Sequence, residues 1–346
     1  MQIIPYNPTH YELLLQRRDH PFFPAVLTHR HFVDWYYGSG HCRLHLFLND
    51  REELAGIIGI DIVDFTYQNN VIQVATASNN VAFLPGFGGF QFLCWLKAAP
   101  YTLALGGSQA IHQIIRQNGW HYFPPVPQLL ANRRFHIDPT DFSWRALAKR
   151  SLAPLLPTIK LADKREAILR QSGSLSAAGS GVAIREEQTF QAEMLPTTTP
   201  FRFRFSPSLA YLQWRYATGL PFVCYRLFRI LYGRETVGYV VLKESPEQLL
   251  VSQCDGVDPV LLACGVLLAL AAVTEHDLVP REMRLCSSHS VMQRLFRRFG
   301  FHDWRQPCTF VMGALRHPLI QEEACRDWLI NFDWSDNGLR RPFLDE

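Results

Sequence analysis

Three groups of residues have the types and spacing that chemistry needs. The first is Leu84-Pro85-Gly86-Phe87-Gly88-Gly89-Phe90-Gln91, which places three glycines ahead of an apolar run. Glycine lets backbone N–H groups come close to a ligand, and such groups at the start of a helix hold phosphate. A tight strand-to-helix turn with no ligand is the alternative reading. The second group, Ser78-Asn79-Asn80, stands just upstream. These side chains suit a substrate carbonyl or hydroxyl, or simply turn chemistry. The third is Asp255, at the end of an apolar strand. A carboxylate there can orient or deprotonate an amine, or serve the hairpin or the helix that follows. In Asp255-Gly256-Val257-Asp258-Pro259, Asp258 suits a helix cap and Pro259 the first helical position. Two carboxylates at that turn repel a phosphate.

Other candidates are weaker. His112 sits between Ile111 and Ile115 on a helix, where a packed imidazole is the plain reading. Trp35-Tyr36-Tyr37 and Trp214-Arg215-Tyr216 occupy matching places in the two halves and serve either a sugar or acyl face or the core. Arg294, Arg297 and Arg298 share one helix face, and with Arg133, Arg134 and Arg281 they are phosphate candidates or solvated cations. The histidines are dispersed and no CxxC pair occurs among eight cysteines, so no metal site is expected.

The elements that position these residues occur twice. Each half reads as a hairpin, a third strand, a turn, a helix, a fourth strand and a helix closed by Gly-aromatic. The two closures, Gly119-Trp120 and Gly300-Phe301, lie about 180 residues apart, a domain length rather than a solenoid period. A further strand is expected after each, at 127–131 and 309–315. A helix is expected within 5–30. The boundaries expected are a first domain over 1–135, a helical linker over 136–200 with a Ser/Gly-rich stretch, and a second domain with a tail over 201–346.

Bulk properties agree with two packed domains. The chain is 346 residues, 48% hydrophobic and 19% charged, with a formal net charge of +3. Near-balance of charge argues against binding long nucleic acid as the main task. The start lacks a basic segment followed by an apolar run, and the most apolar stretch, 259–273, is too short for a typical span. A cytoplasmic location is expected.

At this point the chain resembles a known family. The sheet, turn, strand and Gly-aromatic helix end are similar to the GNAT acyltransferase fold, and two such halves resemble tandem-GNAT proteins, including Fem-type aminoacyltransferases. Tyr211-Leu212-Gln213-Trp214-Arg215-Tyr216 with Pro221 and Tyr225, and the tail Asp333-Trp334 with Asp336, are similar to such second halves. The resemblance implies an α/β fold with mixed sheets and two GNAT-like domains in tandem. It implies acetyl-CoA or another acyl-CoA as cosubstrate, without a metal. Neighbouring parallel strands would splay to admit the pantetheine arm. The family loop, Arg/Gln-x-x-Gly-x-Gly/Ala, aligns with 84–91, with Gly89 as its first glycine. Gln91 stands at the second glycine and a glycine at the arginine. Leu84, Gly86, Gly88, Gly89, Phe90 and Gln91 are then the cofactor-binding candidates, and Asp255, Ser78 and Asn79 the catalytic ones. The family's leaving-group tyrosine falls on Ile115 and Phe296, so the usual general acid is missing from both halves. Three activities follow from the resemblance. One is acyl-CoA-dependent transfer to a small amine, an amino sugar or amino-acid-like group. Another is a degenerate binding or scaffold protein. The third is transfer from aminoacyl-tRNA, with Arg145, Lys149, Arg150, Lys160, Lys164 and Arg165 as RNA contacts.

Overall fold

A computed structural model of the chain describes residues 1–133, 143–144, 158–173, 181–304, 307–315, 317–321 and 325–331. The Asp333-Trp334 and Asp336 motif, Arg134, Arg145, Lys149 and Arg150 lie outside the described residues. Contacts divide the chain into two compact units. Unit 1 takes Met1–Val126, Arg202–Tyr211 and the described residues from Cys308 onward, and unit 2 takes the described residues of Pro127–Phe201 and Leu212–Pro307.

The first part of the chain forms β1 (Gln2–Pro5), α1 (Tyr11–Leu15), α2 (Arg30–Gly38), β2 (Cys42–Leu48), β3 (Leu54–Tyr67) and β4 (Asn70–Ala82). Next come α3 (Phe87–Leu96), β5 (Tyr101–Leu105), α4 (Gln109–Gln117), β6 (His121–Val126) and β7 (Gln128–Ala131). Within the span expected as a linker come α5 (Arg165–Gly173) and β8 (Val182–Glu187), and after it β9 (Phe203–Phe205), α6 (Leu209–Arg215), β10 (Cys224–Tyr232), β11 (Glu235–Glu244) and β12 (Gln248–Gly256). The chain continues with α7 (Pro259–Thr274), β13 (Glu282–Cys286), α8 (Ser290–Arg298), β14 (His302–Asp303), β15 (Cys308–Ala314) and β16 (Trp328–Leu329). The expected lead helix over 5–30 is instead the short α1 with α2 beyond it. Pro21 and Pro24 stand between them, and each removes a helical N–H.

The two sheets have the same order. Unit 1 runs β1-β2-β3-β4-β5-β15-β6, and unit 2 runs β8-β10-β11-β12-β13-β7-β14 when read from the equivalent edge. In each, one central pair is parallel (β4 with β5, β12 with β13) and the main ladders around it are antiparallel. The fold is therefore a mixed-sheet α/β unit built twice. The strands expected to close each half are exchanged. β7, from the first half, pairs with β13 and β14 in unit 2, while β15, from the end of the chain, lies between β5 and β6 in unit 1. Both are short and apolar, so each suits either sheet. Phe310, Val311 and Met312 of β15 are wholly buried.

Helix ends follow local chemistry. In α4 the Ser108 hydroxyl accepts the Ile111 N–H at 3.3 Å. Gly119 and Gly300, at φ +69° and +102°, close α4 and α8 in the left-handed region. The aromatics after them, Trp120 and Phe301, turn inward and are buried. α7 is buried along most of its length, while α3 packs one face into a core of Phe92, Trp95, Leu96, Ile115 and Trp120. Cys94 and Cys224 are half-buried, and the other six cysteines are buried. No described helix is long and apolar enough to cross a membrane, and no cluster of three metal-ligating side chains occurs among the described residues.

Candidate functional site

In unit 1 the ladder between β4 and β5 covers three positions: Val74 with Tyr101, Ala75 with Thr102 and Thr76 with Leu103. β4 then continues to Ala82, while the end of β5 pairs with β15 on its other side. The two parallel strands therefore part, and β4 backbone groups beyond Thr76 line the opening. Beyond the ladder β4 is bulged. Ile57 pairs with Val81 and Gly59 with Ser78, so Asn79 and Asn80 oppose a single residue. Asn79 takes φ +48°, a conformation asparagine tolerates better than most side chains. Such bulges re-aim side chains beside active sites.

The bulge meets α2. The Asn79 amide donates to the Tyr37 hydroxyl at 2.6 Å, and that hydroxyl lies 3.1 Å from Ser78 Oγ. Gly59 makes the room: a Cβ there would lie 2.5 Å from Ser78 Oγ and 2.7 Å from the Tyr37 oxygen. On the same strand as Gly59, the buried Asp61 accepts from Tyr36 at 2.7 Å and from Tyr211 at 3.4 Å. The His41 ring stands edge-on to Tyr211. Ser78 and Asn79 thus share one bonded group with Tyr37, bordered by Gly59, while Asp61 is held by Tyr36 and Tyr211. The sequence reading left Tyr37 between core and ligand, and it missed Asp61. A lone Asp inside the apolar run Ile57–Val63 is the signal that could have found it, because a buried carboxylate needs donors.

The glycine-rich turn carries α3. Gly86, at φ +87°, precedes the helix with no side-chain cap. Built Cβ atoms at Gly86, Gly88 and Gly89 would meet nothing within 4 Å. No side chain caps the first N–H groups of α3. Leu84 contributes a backbone N–H bond to the Ala55 carbonyl, and Phe90 is exposed. Gln91 differs: its side chain is buried and donates to the Ile57 and Val81 carbonyls at 3.0 and 2.7 Å, so it ties β3 to β4.

Unit 2 repeats the parting of strands. β12 and β13 pair from Gln248 to Leu250, and β12 continues to Gly256 with a bulge at Ser252. Its helix start is closed, however. The Asp258 carboxylate accepts the N–H groups of Val260 and Leu261 at 2.8 and 2.9 Å, and Pro259 has none to give. Asp255, 2% exposed, accepts from the Gly256 N–H at 2.9 Å. It stands in unit 2, whereas Ser78 and Asn79 stand in unit 1.

The remaining candidates have packing partners. Ile115 and Phe296, at the tyrosine positions, are buried. His112 lies 3.1 Å from the Tyr122 hydroxyl, and burial, then Arg116, draws its pKa below the ordinary imidazole value. Arg281 is held by Glu244, Asp277 and the Val273 carbonyl. Arg297 pairs with Asp303, and Arg298 bonds Gln171. Lys164 donates to the Phe299 carbonyl.

The sequence matches no protein-family model and no curated protein. The structure does match solved structures. A GCN5-related N-acetyltransferase from Kribbella flavida matches with TM-score 0.54 at 12% identity, over 91% of this chain and 71% of that one. A tandem GNAT protein from the clavulanic acid biosynthesis pathway matches with TM-score 0.51 at 12% identity, over 90% of this chain and 98% of that one. A GCN5-related glucosamine N-acetyltransferase region of a fungal β-N-acetylglucosaminidase matches with TM-score 0.51 at 10% identity, over 90% of this chain and 38% of that one. The fold is the GNAT fold in tandem, and its structural neighbours are GNAT-type N-acetyltransferases.

Proposed function

We propose that the chain is an acyl-CoA-dependent N-acyltransferase that holds acyl-CoA in unit 1 and passes the acyl group to a small amine, an amino sugar or amino-acid-like acceptor. The observation that carries the assignment to unit 1 is the contrast between its helix starts. The first N–H groups of α3 follow a glycine-rich turn and have no side-chain cap, while those of Val260 and Leu261 in α7 are taken by Asp258. Open N–H groups at a helix start, with the positive end of its dipole, suit a pyrophosphate. The β4 groups beyond the ladder suit the amide-bearing arm.

Transfer forms a C–N bond and breaks a C–S bond. The amine loses a proton as its nitrogen takes the acyl carbon, and the departing thiolate gains one. Tyr37 is the proton donor in this reading, in place of the tyrosine replaced by Ile115. The Asn79 amide, donating to its oxygen, favours the phenolate left behind. Ser78 and the bulge orient the carbonyl, and Asp61 draws the amine.

The test is amine-dependent thiol release from acetyl-CoA, assayed with glucosamine and a panel of amino acids. Turnover with one amine class, falling about 100-fold in Tyr37→Phe, is the expected result. Acetyl-CoA that binds and is never turned over would leave a binding protein in place of the enzyme.

A further inference from the structure

Unit 1 carries an apolar groove of about 600 Å³ between the outer side of α3 and the sheet at β1, β2 and β3. Ile3, Ile62, Phe90 and Leu93 line it, and each is more than two-fifths exposed. Exposed apolar residues scattered singly need no explanation, whereas these four share one groove. Phe90, Leu93 and Lys97 form one stripe along α3 at i, i+3 and i+7.

The equivalent wall of unit 2 shows what fits such a face. There α5 packs on α7 and β8. Ile168 of α5 is buried, and its carbonyl lies 3.7 Å from Cys264 Sγ on α7. Residues 261–271 of α7 are buried. Among the described residues of unit 1, no helix covers α3 in this way. Charge completes the comparison. The unit 2 wall carries Glu186 and Glu275 beside Arg226, and the covering helix brings Arg165 to it. Among the described residues, the unit 1 groove is lined by Arg43 and Lys97 and by no carboxylate.

We propose that this groove docks an amphipathic helix of a partner protein, apolar on one stripe and acidic on its flanks, as α5 covers α7. A second copy of this chain fits worse. A two-fold contact would set this face, with its cations Arg43 and Lys97, against the same face of the second copy, and like charges across an interface select against that pairing.

The probe is a helix-stabilised, fluorescent peptide with the 161–173 sequence of this chain, carrying Arg165→Glu and Arg170→Glu, titrated with the full chain. Saturable binding is expected. It should weaken more than about tenfold in Leu93→Glu and severalfold in Lys97→Glu, and it should fall as salt screens the charges. Both positions are exposed, so melting temperatures should stay near that of the unchanged chain. No saturable binding would overturn the proposal, and so would binding indifferent to both substitutions. Sedimentation with phosphatidylglycerol vesicles that is lost in Leu93→Glu would give the groove to a lipid surface instead. A concentration-dependent dimer lost in the same variant would give it to a second copy. Either result overturns the partner helix.

Discussion

At the scale of single residues, the site depends on three side chains and a missing one. Tyr37, Ser78 and Asn79 share one hydrogen-bonded group, and Gly59 leaves the space it needs. Two outcomes follow. Tyr37→Phe keeps the ring packing and loses the hydroxyl. The rate of transfer should fall about 100-fold while acetyl-CoA affinity, read by calorimetry, stays within a factor of about three. Gly59→Ala pushes a methyl into two hydroxyls and should lower stability by about 1–3 kcal/mol, measured by urea unfolding. A melting temperature unchanged in Gly59→Ala would mean that the bulge relaxes freely and holds no fixed geometry. Ser78 and Asn79 were legible as polar residues beside a glycine turn. Their link to Tyr37 was not, because it spans about forty residues and depends on which way β4 bulges.

At the scale of elements, α3 and its neighbours carry two further expectations. Gln91 ties the β3 and β4 carbonyls together on the sheet side of α3. Gln91→Leu removes both donors and leaves two buried acceptors, which costs about 1–3 kcal/mol. A chain as stable with leucine as with glutamine would refute that role. His45, on β2, has its pKa lowered from 6.5, first by burial and then by Arg43. Its folded form binds a proton less readily than the unfolded chain. Stability is therefore full above about pH 6.5 and declines as pH falls toward the folded pKa. His45→Gln should flatten that part of the pH–stability curve, whereas an unchanged slope would place the titration elsewhere. Strands and both Gly-aromatic ends were readable from apolar runs and from glycine's left-handed preference. Gln91 read as a loop ligand because sequence position alone does not say which side of a helix meets the sheet.

At the scale of the molecule, the repeat was visible and the strand exchange was not. The runs at 127–131 and 309–315 are alike in length and apolarity, so nothing local says which sheet each joins. The exchange has a consequence: residues 1–135 alone lack β15, and the unit 1 sheet would miss the strand between β5 and β6. That fragment should give no cooperative thermal transition, and a stable folded fragment would contradict the paired architecture. The two helix starts likewise separate the units: Asp258 was legible as a cap, and its cost to phosphate binding follows from charge. Acyl-CoA is proposed to bind at the uncapped start of α3. Calorimetry of acetyl-CoA with the full chain, Gly89→Val and Asp258→Asn tests it most directly. A built Cβ at Gly89 meets no protein atom within 4 Å, so the fold should accept the substitution. One site is expected, lost in Gly89→Val with a nearly unchanged melting temperature and kept in Asp258→Asn. Binding that survives Gly89→Val and disappears in Asp258→Asn would put the cosubstrate in unit 2 and contradict it.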